Sequence, residues 1–256
     1  MDTKISYIIP YKHNIERFLN LNRVLDWLYS IPLDMEIVIV EQLDSESNFK
    51  LSDVLNKCRI ISVESNSDIF NKSWLMNIGI KNTDSNVLIF GDCDIILSVN
   101  NFIDSVRLIS TNHVVSPYNR VIDLDERESS STFNDIFKIN RVGRGEQDNQ
   151  KINLCGGITI FRRDALMNIG GWCEDFEGWG CEDDFQAFKV DLFKLIYTEC
   201  ISNSYHLYHK RSVIDMSLYS KNLDLYNKYL RMDLNTHKRI INNSVKSMGN
   251  MNKKSG

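Results

Sequence analysis

Residues 87 to 94 are Val87-Leu88-Ile89-Phe90-Gly91-Asp92-Cys93-Asp94, an apolar run followed by a pair of carboxylates. Four consecutive apolar residues bounded by a glycine predict a short strand that is buried on both faces. In extended backbone residues i and i+2 point the same way, so both aspartates of the Asp-x-Asp pair can face one ligand. We therefore expect a buried strand that ends in a metal or ribose site. The plainer interpretation is a turn in which an aspartate accepts backbone hydrogen bonds.

Three similar apolar runs precede this stretch, and helical patterns alternate with them. Strands are expected at 5–9, 35–40 and 59–63, and apolar spacings of three and four predict helices at 15–28, 50–57 and 71–81. This β-α-β order predicts an α/β fold with a mostly parallel, Rossmann-like sheet between helices. Such sheets bind ligands beyond the carboxyl ends of their strands. The candidate positions are therefore residues 10–13, residues 41–44, and Asp92 with Asp94.

Beyond residue 100 the alternation is less regular. Strands are expected at 114–117, 156–161, 195–197 and 205–209, and helices at 163–169, 183–191 and 217–235. Residues 123–150 are mostly polar and predict a long loop, a candidate lid over a bound donor. We expect one domain over residues 1–245, with a nucleotide-binding half at about 1–100, a smaller metal- and acceptor-binding half at about 101–245, and a flexible tail at 246–256.

The composition excludes several classes of function. The net charge is −4 and the basic residues are scattered, so the chain has no electrostatic footprint for nucleic acid. No apolar run approaches the roughly 18 residues that a transmembrane segment needs. The first residues lack the pattern of a signal peptide, and the six cysteines form no Cys-x-x-Cys pair. We therefore expect a cytoplasmic protein with reduced thiols.

A second chemical signal is the acidic run Gly178-Trp179-Gly180-Cys181-Glu182-Asp183-Asp184. A carboxylate crowded by like charges has a raised pKa, which suits a general base that takes a proton from a sugar hydroxyl. The plainer interpretation is that these acids stabilise the positive end of the helix that follows. Two glycines around an indole instead indicate close approach of the backbone to a ligand, and an indole face is a platform for a sugar ring.

Two further patterns offer metal ligands. In His206-Leu207-Tyr208-His209 two imidazoles stand three residues apart near a predicted strand end, and either is a candidate to complete a site that Asp92 and Asp94 begin. Carboxylate oxygens favour Mn²⁺ or Mg²⁺ over zinc. The alternative for the histidines is a structural, hydrogen-bonded role. Asp123-Leu124-Asp125 repeats the Asp-x-Asp pattern, but it lies in the polar loop, so we rank it well below the others.

The order of these motifs resembles that of the β-1,4-galactosyltransferases and of related chondroitin-polymerase-type, family 2-like glycosyltransferases. The resemblance covers about residues 5–215, and its most specific part is Gly-Trp-Gly-x-Glu-Asp-Asp. The other matching segments are Ile8-Ile9-Pro10-Tyr11-Lys12, Ile69-Phe70-Asn71-Lys72, Leu75-Met76-Asn77-Ile78-Gly79, Asp92-Cys93-Asp94 and Cys155-Gly156-Gly157. The resemblance implies a GT-A fold, a UDP-sugar donor, a glycan acceptor, inversion at the anomeric carbon, and Mn²⁺ with Mg²⁺ as the second candidate.

The resemblance also implies roles for the matching residues. Asp183 would be the catalytic base, and Asp94 would bind the metal with His206 or His209, a choice that the spacing leaves open. Trp179 would line the sugar pocket, and Glu182 would contact the acceptor or the donor. Together with Glu41, which follows a predicted strand, the expected nucleotide-sugar-binding residues are Pro10, Tyr11, Lys12, Glu41, Phe70, Lys72, Asp92, Cys93, Leu154, Gly157, Trp179 and Glu182.

Three positions depart from the vertebrate enzymes of this family. Lys12 and Lys72 stand where those enzymes have arginine, so a point charge replaces a planar fork. Leu154 stands where they have the tyrosine that precedes Phe-Gly-Gly. A smaller side chain there would leave room for an N-acetyl group, so UDP-GalNAc joins UDP-Gal as a favoured donor.

The resulting hypothesis is an inverting, metal-dependent glycosyltransferase of polysaccharide biosynthesis, which moves a hexose or N-acetylhexosamine to a sugar hydroxyl. One alternative is a catalytically silent sugar- or nucleotide-binding module on the same fold, although every expected acid is in place. Another is a metal-dependent phosphohydrolase that uses Asp92 and Asp94, which would leave the motif around Trp179 unexplained.

Overall fold

The computed structural model describes residues 3–43, 49–146, 151, 153–210 and 214–251. Within them the strands are β1 (Ile5–Lys12), β2 (Glu36–Leu43), β3 (Arg59–Glu64), β4 (Val87–Gly91), β5 (Ile95–Leu97), β6 (Val114–Ser116), β7 (Arg120–Asp123), β8 (Ile158–Arg162), β9 (Tyr197–Glu199) and β10 (Asn203–His206). The α-helices are α1 (Ile15–Tyr29), α2 (Lys72–Lys81), α3 (Val99–Leu108), α4 (Glu126–Ser129), α5 (Phe133–Ile136), α6 (Arg163–Asn168), α7 (Glu182–Leu192), α8 (Met216–Leu230) and α9 (Leu234–Ser247). These elements confirm the predicted α/β fold.

The main sheet is mostly parallel. Its strands have the order β3-β2-β1-β4-β8-β6-β9, and the first four are parallel to one another. β8 is antiparallel to both of its neighbours, whereas β9 is parallel to β6. The chain builds the sheet in one direction from β1 to β3 and in the other from β4 onward. This switch point between β1 and β4 is where open α/β sheets bind ligands.

Alternate side chains of the central strands enter two hydrophobic clusters. In β1, Tyr7 and Ile9 belong to the first cluster and Ile8 to the second, and all three are fully buried. In β4, Ile89 joins the first cluster and Leu88 the second. α1 contributes to the first cluster and α2 to the second, so both faces of the sheet are covered by helices. This arrangement explains why the strands appear in the sequence as continuous apolar runs.

A smaller sheet extends the structure beyond the carboxyl end of β4. Its strands have the order β5-β10-β7, and β10 is antiparallel to β5 and parallel to β7. β5 begins directly after Asp94, and β10 ends at His206. β5 and β7 were not predicted, because strands of three and four residues are too short to show a two-residue periodicity.

Two helices of the second half also differ from the prediction. α3 was not predicted, although its apolar residues Val99, Phe102, Ile103 and Val106 recur at spacings of three and four and the Ser98 side chain caps it. The helix expected at 217–235 is two helices: α8 ends at Leu230, and α9 begins after Asp233, whose side chain accepts a hydrogen bond from the Thr236 amide. Capping by Asp233 is a local signal that marks this boundary.

The chain remains packed beyond residue 245, where the sequence predicts a flexible tail at 246–256. α9 continues to Ser247, and Met248 is buried in the second hydrophobic cluster. The carbonyl of Asn250 accepts a hydrogen bond of 2.9 Å from Trp74 Nε1. The tail prediction is therefore corrected for residues 246–250, since a buried methionine and a distant tryptophan hold this segment. Residues 252–256 lie outside the described part of the chain.

The polar stretch at 123–150 contains more order than a long loop. α4 and α5 lie within it, and the side chains of Asp125 and Thr132 cap them. Residues 147–150 lie outside the described residues, so the lid stays a prediction.

Two further findings concern the whole described chain. All six cysteines are free thiols. In the described ranges, no helix has both the length and the apolar character that crossing a membrane requires.

Candidate active site

A cleft of about 600 Å³ opens at the carboxyl ends of β1 and β4. Most of the predicted site residues line it, although they come from segments far apart in the sequence. They are Pro10, Lys12, Phe70, Lys72, Asp92, Cys93, Asp94, Gly157, Trp179, Glu182, Asp183, His206 and His209. The fold therefore brings the strand-end residues, the acidic run and the histidine pair into one site.

Lys72 is the positive centre of one part of this cleft. Its Nζ lies 3.0 Å from Asp92 Oδ1, 3.5 Å from Asp183 Oδ1 and 4.0 Å from Glu182 Oε1. Burial, the largest single effect, would lower the pKa of Lys72, but the three carboxylates together raise it well above its ordinary value. Lys72 is the first residue of α2, which the Asn71 side chain caps. One fixed cation thus holds three carboxylates close together.

The backbone before α7 explains the glycines of the acidic run. Gly178, Gly180 and Cys181 have φ angles of 72°, 104° and 72°, a left-handed region that glycine adopts at little cost. This turn delivers Glu182 and Asp183 into the first turn of α7, where the helix N-terminus favours negative charge. The two interpretations of the acidic run are therefore compatible: its carboxylates begin a helix, and two of them line the cleft.

Asp183 has the surroundings of a general base. Its Oδ1 atom is buried and accepts no hydrogen bond from any described residue, although the Lys72 cation lies 3.5 Å away. Burial raises the pKa of Asp183 well above its ordinary value; Lys72 opposes this shift, while Glu182 and Asp92 add to it. A carboxylate that lines the cleft and has a raised pKa is suited to taking a proton from a ligand.

The neighbouring acids are held differently. Glu182 Oε2 accepts a hydrogen bond of 3.1 Å from the Gly180 amide, and burial raises the pKa of Glu182. Asp184 is exposed, and its Oδ1 accepts a hydrogen bond of 2.7 Å from Asn153 Nδ2. Of the three adjacent acids, Asp184 is thus a helix-start carboxylate outside the cleft lining.

Asp94, His206 and His209 form a second polar group in the cleft. His206 Nε2 lies 3.7 Å from Asp94 Oδ1, and His209 Nε2 lies 3.5 Å from Asp94 Oδ2. Ligand atoms of the three residues lie within 4.8 Å of one another. Burial lowers the pKa of His206, which favours the neutral imidazole that binds metals. The two histidines therefore both lie beside Asp94, the predicted metal ligand.

The chemistry of this donor set fits a divalent cation. Three convergent ligands leave coordination positions for other groups, as a site that acts on a substrate requires. Two imidazoles favour Mn²⁺ over Mg²⁺, because Mg²⁺ prefers oxygen ligands. Asp92 is not in this group and pairs with Lys72 instead. The two aspartates of the Asp-x-Asp pair thus face different partners.

An aromatic pair stands at the mouth of the cleft. Trp179 lines the cleft and is 60% exposed, and its ring centroid lies 5.4 Å from that of Tyr219 in α8. Asn222 Nδ2, also from α8, donates a hydrogen bond of 3.3 Å to the Trp179 carbonyl. A Cβ atom at Gly180 would lie 2.8 Å from the Tyr219 ring, so this contact requires glycine. The pair forms an exposed aromatic platform.

Three predicted residues do not line the cleft. Tyr11 is 1% exposed, and its hydroxyl lies 3.0 Å from His13 Nδ1. Glu41 is also 1% exposed and accepts a hydrogen bond of 2.9 Å from Ser62 Oγ. Leu154 packs in the second hydrophobic cluster. In the structure these three side chains are packed in the protein interior, so their contact with a nucleotide sugar stays a prediction. The argument that Leu154 leaves room for an N-acetyl group also stays a prediction.

Several lining residues were not predicted. Tyr118 follows β6, donates a hydrogen bond of 2.8 Å to the Gly156 carbonyl and accepts one of 2.9 Å from the Ile158 amide. A Cβ atom at Gly157 would lie 2.2 Å from the Tyr118 hydroxyl oxygen, so the glycine pair and Tyr118 fit each other. The position of Tyr118 directly after a predicted strand was a usable signal. The other unpredicted polar residues are Arg17, Arg144, Lys151 and Asn153.

Comparison with known proteins gives one sequence-family match. Residues 147–210 match the family model described as the N-terminal domain of galactosyltransferase. This segment contains Gly157, the acidic run and both histidines of the cleft. No curated protein sequence matches the chain significantly.

Solved structures show a more extensive likeness. A Drosophila β-1,4-galactosyltransferase 7 mutant in complex with manganese, UDP-Gal and xylobiose is 14% identical, with a TM-score of 0.50 over 84% of this chain and 78% of that one. The mannosyltransferase PcManGT from Pyrobaculum calidifontis, in complex with GDP-Man and Mn²⁺, is 14% identical with a TM-score of 0.60, over 95% and 69%. TarS 1–349 from S. aureus with UDP-GlcNAc is 17% identical with a TM-score of 0.59, over 97% and 74%.

These findings identify the fold. The chain has the GT-A fold of the glycosyltransferases, as its motif order predicts. Within that fold, residues 147–210 are the part of the chain that matches the galactosyltransferase family model.

Proposed function

We propose that the chain is an inverting, metal-dependent glycosyltransferase that moves a hexose or N-acetylhexosamine from a UDP-sugar to a sugar hydroxyl of a glycan. The observation that carries this proposal is the joint position of two groups in one cleft. Asp183, which lines the cleft and has a raised pKa, would be the base. Asp94, His206 and His209 are a cation site. Metal-dependent inverting transfer uses both, the base for the attacking hydroxyl and the cation for the leaving diphosphate.

In this proposal Asp183 accepts the proton of the acceptor hydroxyl. The hydroxyl oxygen bonds to the anomeric carbon on the face opposite the nucleotide while the bond from that carbon to the diphosphate oxygen breaks, so the configuration inverts. The raised pKa of Asp183 brings it closer to neutral pH, where a base is more effective. Lys72 holds Asp183, Asp92 and Glu182 in place with a single cation.

The metal and the nucleotide are proposed from the donor set and from the comparisons. Asp94, His206 and His209 would hold Mn²⁺, which when bound neutralises charge on the diphosphate. The structures of β-1,4-galactosyltransferase 7 and PcManGT were both determined with manganese, but with UDP-Gal in one and GDP-Man in the other. UDP is preferred here because of the galactosyltransferase family match at residues 147–210. The same match favours Gal, and Leu154, which stands where the related enzymes have a larger tyrosine, keeps GalNAc as a candidate.

A panel of nucleotide sugars tests this function. With mixed oligosaccharide acceptors, we expect Mn²⁺-dependent release of UDP from UDP-Gal or UDP-GalNAc. The rate should be at least about tenfold higher than the rate of GDP release from GDP-Man. EDTA is expected to bring the rate to background, and Mn²⁺ to restore it better than Mg²⁺ does. The assay measures free nucleoside diphosphate.

Three outcomes would contradict the proposal. Binding of UDP and Mn²⁺ without turnover of any donor and acceptor pair would identify a silent binding module. Release of inorganic phosphate from simple phosphate esters would identify a phosphohydrolase. Transfer that persists fully in EDTA would remove the metal from the proposal.

Substitution of the aromatic platform tests the acceptor side. Trp179→Ala is expected to raise the KM for the acceptor about tenfold, because the exposed indole that would stack on the sugar is lost, with a smaller change in the KM for the donor. Steady-state kinetics with each substrate varied in turn measure this split. Tyr197→Ala removes a 45% exposed aromatic residue from β9, outside the cleft, and serves as the control. Equal acceptor KM values in the two variants would contradict the role of Trp179.

A further inference from the structure

The smaller sheet aligns three polar residues on adjacent strands. His206 of β10 is paired in register with Ile95 of β5 on one side and with Asp123 of β7 on the other. Asp94 precedes Ile95, and its carbonyl accepts a hydrogen bond of 2.7 Å from the Leu207 amide. The backbone therefore fixes the order Asp94, His206, Asp123 across the sheet, independently of any side-chain contact.

The two ring nitrogens of His206 face different carboxylates. Nε2 lies 3.7 Å from Asp94 Oδ1, and Nδ1 lies 3.4 Å from Asp123 Oδ1. An imidazole that carries its proton on Nδ1 leaves the Nε2 lone pair free for a metal, and a carboxylate beside Nδ1 favours that form. His209 has a different neighbour, since its Nδ1 lies 3.0 Å from the carbonyl of Lys210.

Asp123 is itself held in place by two arginines. Arg144 Nε lies 3.1 Å from Asp123 Oδ2, and Arg144 Nη2 bonds Asp123 Oδ1. This two-pronged contact fixes the plane of the carboxylate. The Arg144 amide donates a hydrogen bond of 2.8 Å to the Val121 carbonyl, and Arg141 Nη2 bonds the carbonyl of Asp123. The carboxylate beside His206 is therefore oriented before any ligand arrives.

We propose that Asp123 is a positioning residue of the metal site. By accepting a hydrogen bond from Nδ1–H of His206 it would fix the tautomer and ring orientation in which Nε2 binds the cation, and Arg144 fixes Asp123 in turn. Asp123 does not belong to the group of convergent ligand atoms, so it acts through His206. The inference rests on the metal site of the proposed function. It gives a role to the second Asp-x-Asp pattern, Asp123-Leu124-Asp125, which the sequence alone ranked low.

Binding of Mn²⁺ alone, without nucleotide or acceptor, tests this role. Titration of the full chain followed by electron paramagnetic resonance of free Mn²⁺ gives the Kd directly. We expect Asp123→Ala to raise the Kd about 10- to 100-fold, the usual effect of removing a carboxylate behind a ligating histidine. Asp123→Asn keeps an oxygen acceptor for Nδ1–H and is expected to raise the Kd only about threefold. Asp125→Asn removes the same charge two residues away, retains a capping side chain for α4 and is expected to bind as wild type does.

Nitrogen NMR of the metal-free protein gives a second readout that a purely structural role would not move. We expect His206 to be the Nδ1–H tautomer in the wild type and to lose that preference in Asp123→Ala. Equal Mn²⁺ affinity in wild type and Asp123→Ala, or an Nε2–H tautomer in the wild type, would overturn this inference while leaving the metal site in place. Failure of the wild type to bind Mn²⁺ would instead overturn the metal site of the proposed function, and this inference with it.

Discussion

Asp183→Asn is expected to lower kcat by about two to four orders of magnitude, because the amide cannot accept the proton of the acceptor hydroxyl. Binding of UDP and Mn²⁺ is expected to stay within about threefold of wild type, since the substitution preserves shape and lies outside the cation site. Kinetics of sugar transfer, together with calorimetric titration of UDP and Mn²⁺, separate the two effects. The large loss is expected because Asp183 lines the cleft and burial raises the pKa of its carboxyl group.

The chain offers a matched control in the adjacent residue. Asp184 begins the same helix and carries the same charge, but it is exposed and bonds Asn153. Asp184→Asn keeps an oxygen that can accept this hydrogen bond and is expected to retain kcat within about twofold. Full activity in Asp183→Asn, or an equal loss in both variants, would contradict the assignment of the base.

Most of the parallel half of the fold was predictable because its strands are buried on both faces. β4 is an apolar run and β1 and β2 contain apolar runs, and their alternation with helices predicts a parallel sheet; the strand order with its switch between β1 and β4 is seen only in the structure. The second half was harder, since β5 and β7 are too short to carry a pattern, whereas the apolar spacing of α3 was a usable signal that the prediction missed. The packing of Met248 depends on contacts with distant segments, which composition does not reveal.

The functional site was also predictable only in part. Asp92, Asp94 and the acidic run were predictable, because each follows a strand or opens a helix and so must lie at the ligand-binding edge. Asp123 was undervalued because its importance comes from the register of β7 with His206, a pairing between segments more than 80 residues apart. The side-chain directions of Tyr11, Glu41 and Leu154 depend on packing and could not be inferred from their position in a motif.

Lys72→Met is expected to impair the enzyme through the charges that it leaves behind. Three carboxylates that share one cation at 3.0 to 4.0 Å would then repel one another without compensation. Lys72 lowers the pKa of both Asp183 and Glu182, so its removal raises those values further. A larger fraction of Asp183 is then protonated at neutral pH, and we expect kcat/KM to fall by about 100-fold at pH 7, with the acid limb of the pH profile moved to higher pH. Activity measured from pH 5 to 9 shows the shift.

The stability of Lys72→Met, like its activity, should depend on pH more strongly than that of the wild type. A carboxylate whose pKa is raised by folding favours the folded state when protonated, and it loses that contribution as the pH rises through its folded pKa. The melting temperature of Lys72→Met is therefore expected to fall further below that of wild type at pH 8 than at pH 5.

Two control variants accompany Lys72→Met. Lys72→Arg keeps the charge, so both the shift of the pH profile and the pH-dependent loss of melting temperature should be smaller. Lys12→Met removes a cation of the same cleft that bonds the Asp68 carbonyl, and it should weaken donor binding without moving the acid limb. A pH profile of Lys72→Met that superimposes on that of Lys12→Met would show that Lys72 does not tune the base.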